Sequence, residues 1–190
     1  GLGGTRIGVA RLLVGDGGGG WGRVAGKLRR VVDERPVYDE DGSVAGDRDV
    51  TVEDAYSAQV EYETGATGTF AASRVAAGHK NDHAIAVHGT EGSLTFSLER
   101  LNELEVLRAG NRGYETVLVT EESDPYVDRW WPPGHVIGWE HTFVHENYEF
   151  LSAVADGDAF EPSFEDGYEV QRVLAAIERA AERGEWVAVE

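Results

Sequence analysis

The chain has 190 residues, of which 41% are hydrophobic and 27% charged, a composition typical of a globular protein with one buried core. Its 17 basic and 35 acidic residues give a formal net charge of -18, so nucleic acid and anionic membrane surfaces are disfavoured as partners. The absence of cysteine excludes disulfides, thiolate metal sites and cysteine nucleophiles. No apolar run approaches the roughly 18 residues that cross a membrane. We expect a single cytoplasmic domain over residues 1–190.

The basic residues are divided unevenly, with two lysines against fifteen arginines. An acidic surface with few lysines resembles the proteins of salt-adapted organisms, because acidic side chains keep a protein hydrated in molar salt. A GC-rich genome produces the same bias, so a halophilic origin is one of two explanations. The chain begins Gly1-Leu2-Gly3-Gly4 without methionine, which suggests a piece of a longer protein.

A helix, a strand and a solvated loop are predicted in succession over the first part of the chain. Apolar residues recur there at helical spacing: Ile7, Ala10, Leu13 and Val14. This spacing predicts a helix over residues 4–14 that ends at Gly15. After a run of glycines at 17–20, residues 23–32 are predicted to form a strand, and the acidic residues 39–49 a solvated loop. Glycines 15, 17 and 18 follow a helix, whereas the dinucleotide fingerprint must follow a strand, so we expect no cofactor at this loop.

Three β-hairpins are predicted in the middle of the chain. The first joins a strand with strict alternation, Tyr56, Ala58, Val60 and Tyr62, to residues 67–73 through Thr64-Gly65. The other two pair residues 84–88 with 93–97, and residues 104–108 with 116–120. Antiparallel strands joined by short turns leave one sheet face exposed and need cover on the other.

Two helices and a short strand are predicted near the C-terminus. The first helix has an apolar stripe that ends at Asp156-Gly157: Phe143, Tyr148, Phe150, Leu151 and Val154. The second begins with a capping box at Ser163 and Asp166 and has a stripe that ends at Gly184: Val170, Val173, Leu174, Ile177 and Ala181. Residues 186–189 form the final strand. We therefore expect an α+β fold with one open, predominantly antiparallel sheet and these helices packed on one face.

Three stretches together resemble the C-terminal domain of the glucose-fructose oxidoreductase / inositol dehydrogenase (Gfo/Idh/MocA) family. They are the opening helix ending in Ala10-Arg11-Leu12-Leu13-Val14-Gly15, the double hairpin with Ser73-Arg74 and His88-Gly89-Thr90-Glu91-Gly92-Ser93-Leu94, and the segment from Phe143 through Phe150-Leu151-Ser152-Ala153-Val154 to Gly184-Glu185-Trp186-Val187. The resemblance rests on their order and spacing and covers most of the chain.

This resemblance implies a dihydrodipicolinate-reductase-like C-terminal domain that lines a substrate cleft and builds a homodimer or tetramer through its open sheet face. A Rossmann domain that binds NAD or NADP precedes it in the family and is absent from this chain, so we expect this piece to bind no cofactor by itself. The family reaction transfers hydride between the nicotinamide and a sugar or polyol. A lysine of the absent domain and a histidine of this one usually lie beside the reacting hydroxyl.

The opening helix departs from the family pattern at its acid and base positions. The pattern Asp-x-Gly-x-His-x-x-Asp aligns with Gly1, Gly3, Thr5 and Gly8, and only the second of these matches. The hydroxyl of Thr5 cannot exchange a proton near neutral pH. We therefore assign no catalytic residue. A relative that has lost or moved its acid and base, and an altered start of the sequence, both explain the departure.

Candidate binding residues lie in two further stretches. Arg74, His79 and Asn81 flank a hairpin connection that faces the cleft in the family, where donors and acceptors suit polyol recognition. The aromatic stretch 130–141 contains three tryptophans and the candidates His135, Glu140 and His141, a composition that suits stacking on a sugar. A surface connection and an interface between subunits, respectively, explain the same stretches without a ligand.

His141 and His145 are four residues apart on a predicted helix and share a face. Such a pair can chelate a metal if a third ligand is near, but a solvent-facing pair is the preferred interpretation, so no metal site is assigned. We expect the substrate-binding and oligomerisation domain of an NAD(P)-dependent sugar or polyol oxidoreductase that is inactive alone. The alternatives are a non-catalytic binding or assembly protein with the same fold and a histidine-based metal-dependent enzyme.

Overall fold

A computed structural model describes residues 4–15, 20–119 and 121–190. The chain divides into two compact units, one formed by Gly1–Ala77 with Glu161–Glu190 and the other by Gly78–Phe160. No helix in the described ranges has both the length and the apolar character that a membrane crossing requires.

The described elements follow one another in this order. The helices are α1 (Gly4–Ala10), which continues as a wider π-helical turn (Arg11–Gly15), α2 (Trp139–Asp156) and α3 (Phe164–Arg183). The strands are β1 (Trp21–Arg29), β2 (Glu34–Tyr38), β3 (Val44–Asp49), β4 (Ala55–Tyr62), β5 (Thr67–Ser73), β6 (Ala84–Gly89), β7 (Gly92–Ser97), β8 (Glu103–Arg108), β9 (Glu115–Leu118) and β10 (Val187–Ala188). Short 3-10 turns lie at Leu98–Arg100 and Val127–Arg129.

The first unit contains the buried core. Its antiparallel sheet has the strand order β10-β1-β4-β5, with α3 packed on β1 and α1 packed on α3. The predicted alternation of β4 is confirmed, because its even-numbered residues from 56 to 62 are all buried. They meet the apolar stripe of α3, in which Val173, Ala176, Ile177 and Ala180 are buried. Burial of these side chains is the main contribution to the stability of the unit.

Close packing of α3 on β1 depends on Gly26. A Cβ atom at this position would lie 2.9 Å from Cγ2 of Ile177 and 3.3 Å from its carbonyl oxygen. The absence of a side chain therefore permits the strand and the helix to approach, and an alanine there would force them apart.

The ends of α3 are fixed by the residues that the sequence predicted. The Ser163 hydroxyl accepts a hydrogen bond from the Asp166 amide, and the Asp166 carboxylate accepts one of 2.6 Å from the Ser163 amide, as a capping box requires. The guanidinium of Arg11 also pairs with Asp166, which ties the π-helical turn to the start of α3. Gly184 ends the helix with a φ of 68°, a conformation that favours glycine.

The second unit consists of a four-stranded antiparallel sheet, β6-β7-β8-β9, and α2. Both predicted hairpins of this sheet are confirmed, although residue 120, the last of the predicted strand, lies outside the described residues. No described residue of this unit is buried, which distinguishes it from the first unit.

The α+β class with antiparallel strands is confirmed, but three expectations are wrong. The described strands pair into three sheets and not one, since β2 and β3 form a separate two-stranded ribbon. The segment 39–49 was expected to be a loop but forms the turn and the second strand of this ribbon. The turn contains Gly42, whose φ is 84°, and the Ser43 amide donates to the Asp41 carboxylate there. Both faces of the ribbon are almost wholly exposed, so its sequence shows no alternation.

The third wrong expectation was that the apolar stripe of α2 packs on the sheet and is buried there. The helix ends at Gly157 as predicted, but the residues of its apolar stripe are all exposed, from 42% at Tyr148 to 64% at Val154. In the described structure α3, and not α2, carries the buried helix face.

Candidate functional site

A connected group of polar and aromatic side chains lies in the second unit, where the loop before α2 meets that helix. His141 and His145 are one turn apart on α2, as predicted, and the Trp130 ring lies 4.6 Å from the first and 5.1 Å from the second between centroids. Tyr126 stacks on His145 at 4.2 Å with 18° between the planes. We call Tyr126, Trp130, His141 and His145 the His-Trp cluster.

His145 is held as a neutral acceptor within this cluster. Its Nε2 accepts a hydrogen bond of 2.8 Å from Nε1 of Trp130, which requires that nitrogen to be unprotonated. Burial, followed by the neighbouring charge of His141, lowers the pKa of His145, while Glu149 raises it. Glu149 also accepts a hydrogen bond of 2.6 Å from the Tyr126 hydroxyl, which raises the pKa of Tyr126.

His141 is oriented by the backbone at the start of α2. Its Nδ1 accepts a hydrogen bond of 3.0 Å from the Gly138 amide, so the neutral ring carries its proton on Nε2 and can donate there. The side chain of Glu140 is 80% exposed, and its Oε1 lies 4.0 Å from Nδ1 of His141. The two candidates therefore present a donor and an acceptor at adjacent positions.

His135 lies in the loop that leads into α2. Its Nδ1 donates to the Pro132 carbonyl at 2.7 Å, and its ring lies 6.1 Å from that of Trp131, which is 73% exposed. The loop is fixed to the sheet by Asn102, whose amide donates to the Ile137 carbonyl at 3.0 Å and accepts from the Ile137 amide at 2.9 Å.

The candidates near the hairpin connection, His79 and Asn81, lie in a segment that is held by the turn between β7 and β8, which also contains Asn102. Glu99 accepts hydrogen bonds from the backbone amides of Lys80 at 3.2 Å and Asn81 at 3.0 Å. His79 pairs through Nδ1 with the Asp82 carboxylate at 2.7 Å. Since Glu99 and Asn102 belong to the turn between β7 and β8, this turn anchors both groups of candidates in the second unit.

Arg74 lies in the first unit, just after β5. Its backbone amide donates to the Asp54 carbonyl at 2.8 Å, and its side chain lines a cleft together with residues 35–37 and 48–54. The structure therefore places Arg74 in a different compact unit from the other five binding candidates.

The anchoring residues Glu99, Asn102 and Tyr126 were not predicted. Asn102 bonds to a residue 35 positions away, and no local pattern indicates such a pairing. Tyr126 adopts a φ of 67°, which is uncommon for a residue other than glycine, and its stacking on His145 and bond to Glu149 offset that cost. Tyr126 lies only four residues before the predicted aromatic stretch.

The family acid and base positions are only partly described. Gly1 and Gly3 lie outside the described residues, Thr5 is exposed on α1, and Gly8 is half-buried near Val170. Residues 16–19 of the glycine loop also lie outside them. Across the described strands every pairing is antiparallel, so they do not form the strand-loop-helix unit that binds a dinucleotide. Within the same ranges no three His, Asp or Glu side chains are grouped to hold a metal.

Comparison with known proteins identifies the family. Residues 25–189 match the C-terminal alpha/beta domain of the Gfo/Idh/MocA oxidoreductase family. The chain belongs to this family. Levoglucosan dehydrogenase from Pseudarthrobacter phenanthrenivorans is 36% identical over 96% of this chain and 49% of its own length. The chain thus spans about half the length of this relative.

Solved Gfo/Idh/MocA structures agree in fold over the whole chain. An oxidoreductase domain protein from Kribbella flavida is 36% identical with a TM-score of 0.89, over 100% of this chain and 50% of that one. A levoglucosan dehydrogenase in complex with NADH and L-sorbose is 34% identical with a TM-score of 0.89, over 100% of this chain and 49% of that one. Another structure holds that enzyme with NADH and levoglucosan, at 33% identity and a TM-score of 0.86 over 99% of this chain and 49% of the other.

Proposed function

We propose that this chain is the substrate-binding and oligomerisation half of a cytoplasmic sugar or polyol dehydrogenase that uses NAD or NADP. The observation that carries the proposal is its likeness over its full length to a levoglucosan dehydrogenase that binds NADH and L-sorbose. Because the chain spans about half of that relative, hydride transfer would require a separate nicotinamide-binding half, and these residues would bind and orient the sugar.

The chemistry of the His-Trp cluster supports the sugar as the ligand. Indole and imidazole faces stack on the C-H faces of a sugar ring, and Nε2 of His141 can donate to a hydroxyl while Glu140 accepts. His79, Asn81 and His135 would add contacts from the segments that Glu99 and Asn102 hold. A hydroxyl recognised by such fixed groups is selected strongly, since an analogue without it leaves a polar group unpaired. Arg74 remains a candidate for the same role.

A non-catalytic binding protein with this fold is the second candidate. It is favoured by Thr5, which aligns with the family histidine and cannot act as an acid or base near neutral pH. In this case the protein would bind a sugar without oxidising it.

The two candidates are separated by assays on the intact protein. Reduction of NAD and of NADP would be followed at 340 nm with levoglucosan, L-sorbose, myo-inositol and D-glucose, and sugar binding by calorimetry. We expect turnover of at least one polyol. Binding of a sugar without turnover would favour the second candidate, and neither binding nor turnover would contradict both.

Replacement of His141 tests the proposed contact. His141→Gln should raise KM on the order of tenfold with a smaller change in kcat, which is the loss of about one hydrogen bond to a bound hydroxyl. The control is His88→Gln, because His88 lies on β6 and contacts Ser93 outside the cluster. Equal effects of the two substitutions would exclude His141 as a sugar ligand.

A further inference from the structure

A cleft of about 500 Å³ lies in the first unit at the base of the β2-β3 ribbon. It is lined by Arg35, Pro36, Val37, Arg48, Asp49, Val50, Thr51, Val52, Glu53, Asp54 and Arg74. Its volume is within the range of sites for small organic ligands. Three of its lining residues are arginines, in a chain whose net charge is -18.

One of the lining residues, Asp54, is a buried carboxylate that fixes the segments around the cleft. Asp54 is 2% exposed, and its oxygens accept hydrogen bonds from the amides of Val31 and Val32, at 2.9 Å each, and from Arg35 at 3.0 Å. The two backbone bonds are the main reason why its pKa is lowered, and Arg35 adds to the effect. The backbone carbonyl of Asp54 also accepts a hydrogen bond from the backbone amide of Arg74. Asp54 therefore connects the segments that contain Arg35 and Arg74. The site is therefore formed before any ligand arrives.

Two of the arginines oppose each other across the ribbon. Arg35 and Arg48 are direct partners in the β2-β3 register, and both line the cleft. Like charges directly opposite in an antiparallel pair are destabilising. Asp54 offsets the charge of Arg35 through one contact, but the guanidinium has five donors in all. An anion between the two side chains would convert this repulsion into two attractive contacts.

Arg48 and Arg74 differ from Arg35 in their ion pairing within the part of the chain that the structure describes. Among the described residues, nine arginines form ion pairs with Asp or Glu. Across the described ranges, Arg48 and Arg74 form none, although Asp49 and Glu53 line the same cleft. The cleft thus offers two unpaired guanidinium groups, which bind oxyanions in a bidentate manner, beside two carboxylates that can accept from hydroxyl groups.

We infer that this cleft binds a small hydroxylated oxyanion, such as a sugar acid or a sugar phosphate, through Arg35, Arg48 and Arg74. The oxyanion lies against the three guanidinium groups, and Asp49 and Glu53 accept hydrogen bonds from its hydroxyls. A neutral sugar would satisfy the carboxylates only and would leave the opposed arginines uncompensated. The inference does not rest on the proposed dehydrogenase activity, because Arg74 is its only group that is also a candidate for the proposed sugar contacts, and the cleft is defined by its own lining residues.

Calorimetry on the intact protein at low ionic strength tests the inference. D-gluconate and D-glucose 6-phosphate are the two anionic probes, and sorbitol and D-glucose are their neutral counterparts. We expect saturable binding of at least one anion that weakens with added salt, and at least tenfold weaker binding of the neutral sugars. The stronger of the two anions identifies whether the oxyanion is a carboxylate or a phosphate.

Substitutions connect the binding to these side chains. Arg48→Gln and Arg74→Gln should each weaken anion binding at least tenfold. Arg112→Gln removes the same charge from an exposed residue between β8 and β9 and should leave binding unchanged. The inference is overturned if neither anion binds, if the neutral sugars bind equally well, or if the control weakens binding as much as the cleft variants.

A melting experiment gives a second readout. Without ligand, Arg48→Gln should melt at a higher temperature than the wild type, because the opposed like charges are removed. Saturating anion should raise the melting temperature of the wild type and reverse this order. An unchanged or lower melting temperature of ligand-free Arg48→Gln would show that the arginine pair is not strained and would remove this support.

Discussion

Tyr56 places a polar atom in the core of the first unit without an evident partner. The side chain is 8% exposed on β4, and its hydroxyl makes no hydrogen bond within the described residues. Burial raises the pKa of Tyr56, while the charge of Arg6 lowers it, so the neutral phenol is the stable form. A buried hydroxyl without a partner costs about 1–3 kcal/mol.

Tyr56→Phe should therefore stabilise the protein. We expect an increase of about 1 kcal/mol in the free energy of unfolding, measured by urea denaturation, because the unpaired hydroxyl is removed and the ring is kept. Tyr126→Phe is the matched control: its hydroxyl donates to Glu149, and its loss should lower the free energy of unfolding or leave it unchanged. A larger loss in Tyr56→Phe than in Tyr126→Phe would mean that the Tyr56 hydroxyl has a favourable partner.

At the scale of elements, the sequence identified those in which one face is buried. The alternation of β4 and the stripe of α3 reflect the same core. All four buried residues of β4 were predicted, whereas in α3 the stripe included the buried Val173 and Ile177 but not the buried Ala176 and Ala180. The β2-β3 ribbon was missed because neither of its faces is covered and no periodicity marks it. The candidate site shows the same limit of local sequence patterns. Helical spacing predicted that His141 and His145 share a face, whereas the Asn102 contact was not predicted because it joins segments 35 residues apart.

The contact between the aromatic loop and α2 should depend on pH. The pKa of His145 is lowered in the folded protein, so protonation favours the state in which the Trp130 bond is broken. This contact should be fully present above the ordinary histidine pKa of about 6.5 and lost as pH falls below it. The groups that face His145 are His141, which opposes its protonation, and Glu149, which favours it.

The indole N-H resonance of Trp130, followed by NMR from pH 7.5 to 5, measures this loss. We expect the resonance to shift as pH falls, with a midpoint below that of an exposed histidine. His145→Gln keeps an acceptor that does not titrate and should abolish the shift, while His88→Gln should retain it. A shift that persists in His145→Gln would assign the transition to another group.

At the scale of the whole molecule, the two units differ in how completely they cover apolar side chains. The buried core cluster belongs entirely to the first unit. In the second, the strand register places a row of apolar residues on one face of the sheet, and none is fully buried: Ile85, Val87, Leu94, Phe96, Leu104 and Val106. The apolar stripe of α2 is exposed as well, and contiguous exposed apolar surface commonly marks a protein–protein contact.

We expect another subunit to cover this sheet face, so the intact protein should be a dimer or tetramer in light scattering at micromolar concentration. Phe96→Lys places a charge on the apolar face and should shift the protein toward monomers. Thr95→Lys adds the same charge at the next residue, whose side chain points to the opposite face, and should keep the oligomer. Circular dichroism would establish that both variants are folded. A monomeric wild type would exclude the apolar face as the interface. Dissociation by both substitutions would exclude it too, because Phe96 and Thr95 are adjacent on β7 and differ in which face of the sheet their side chains occupy.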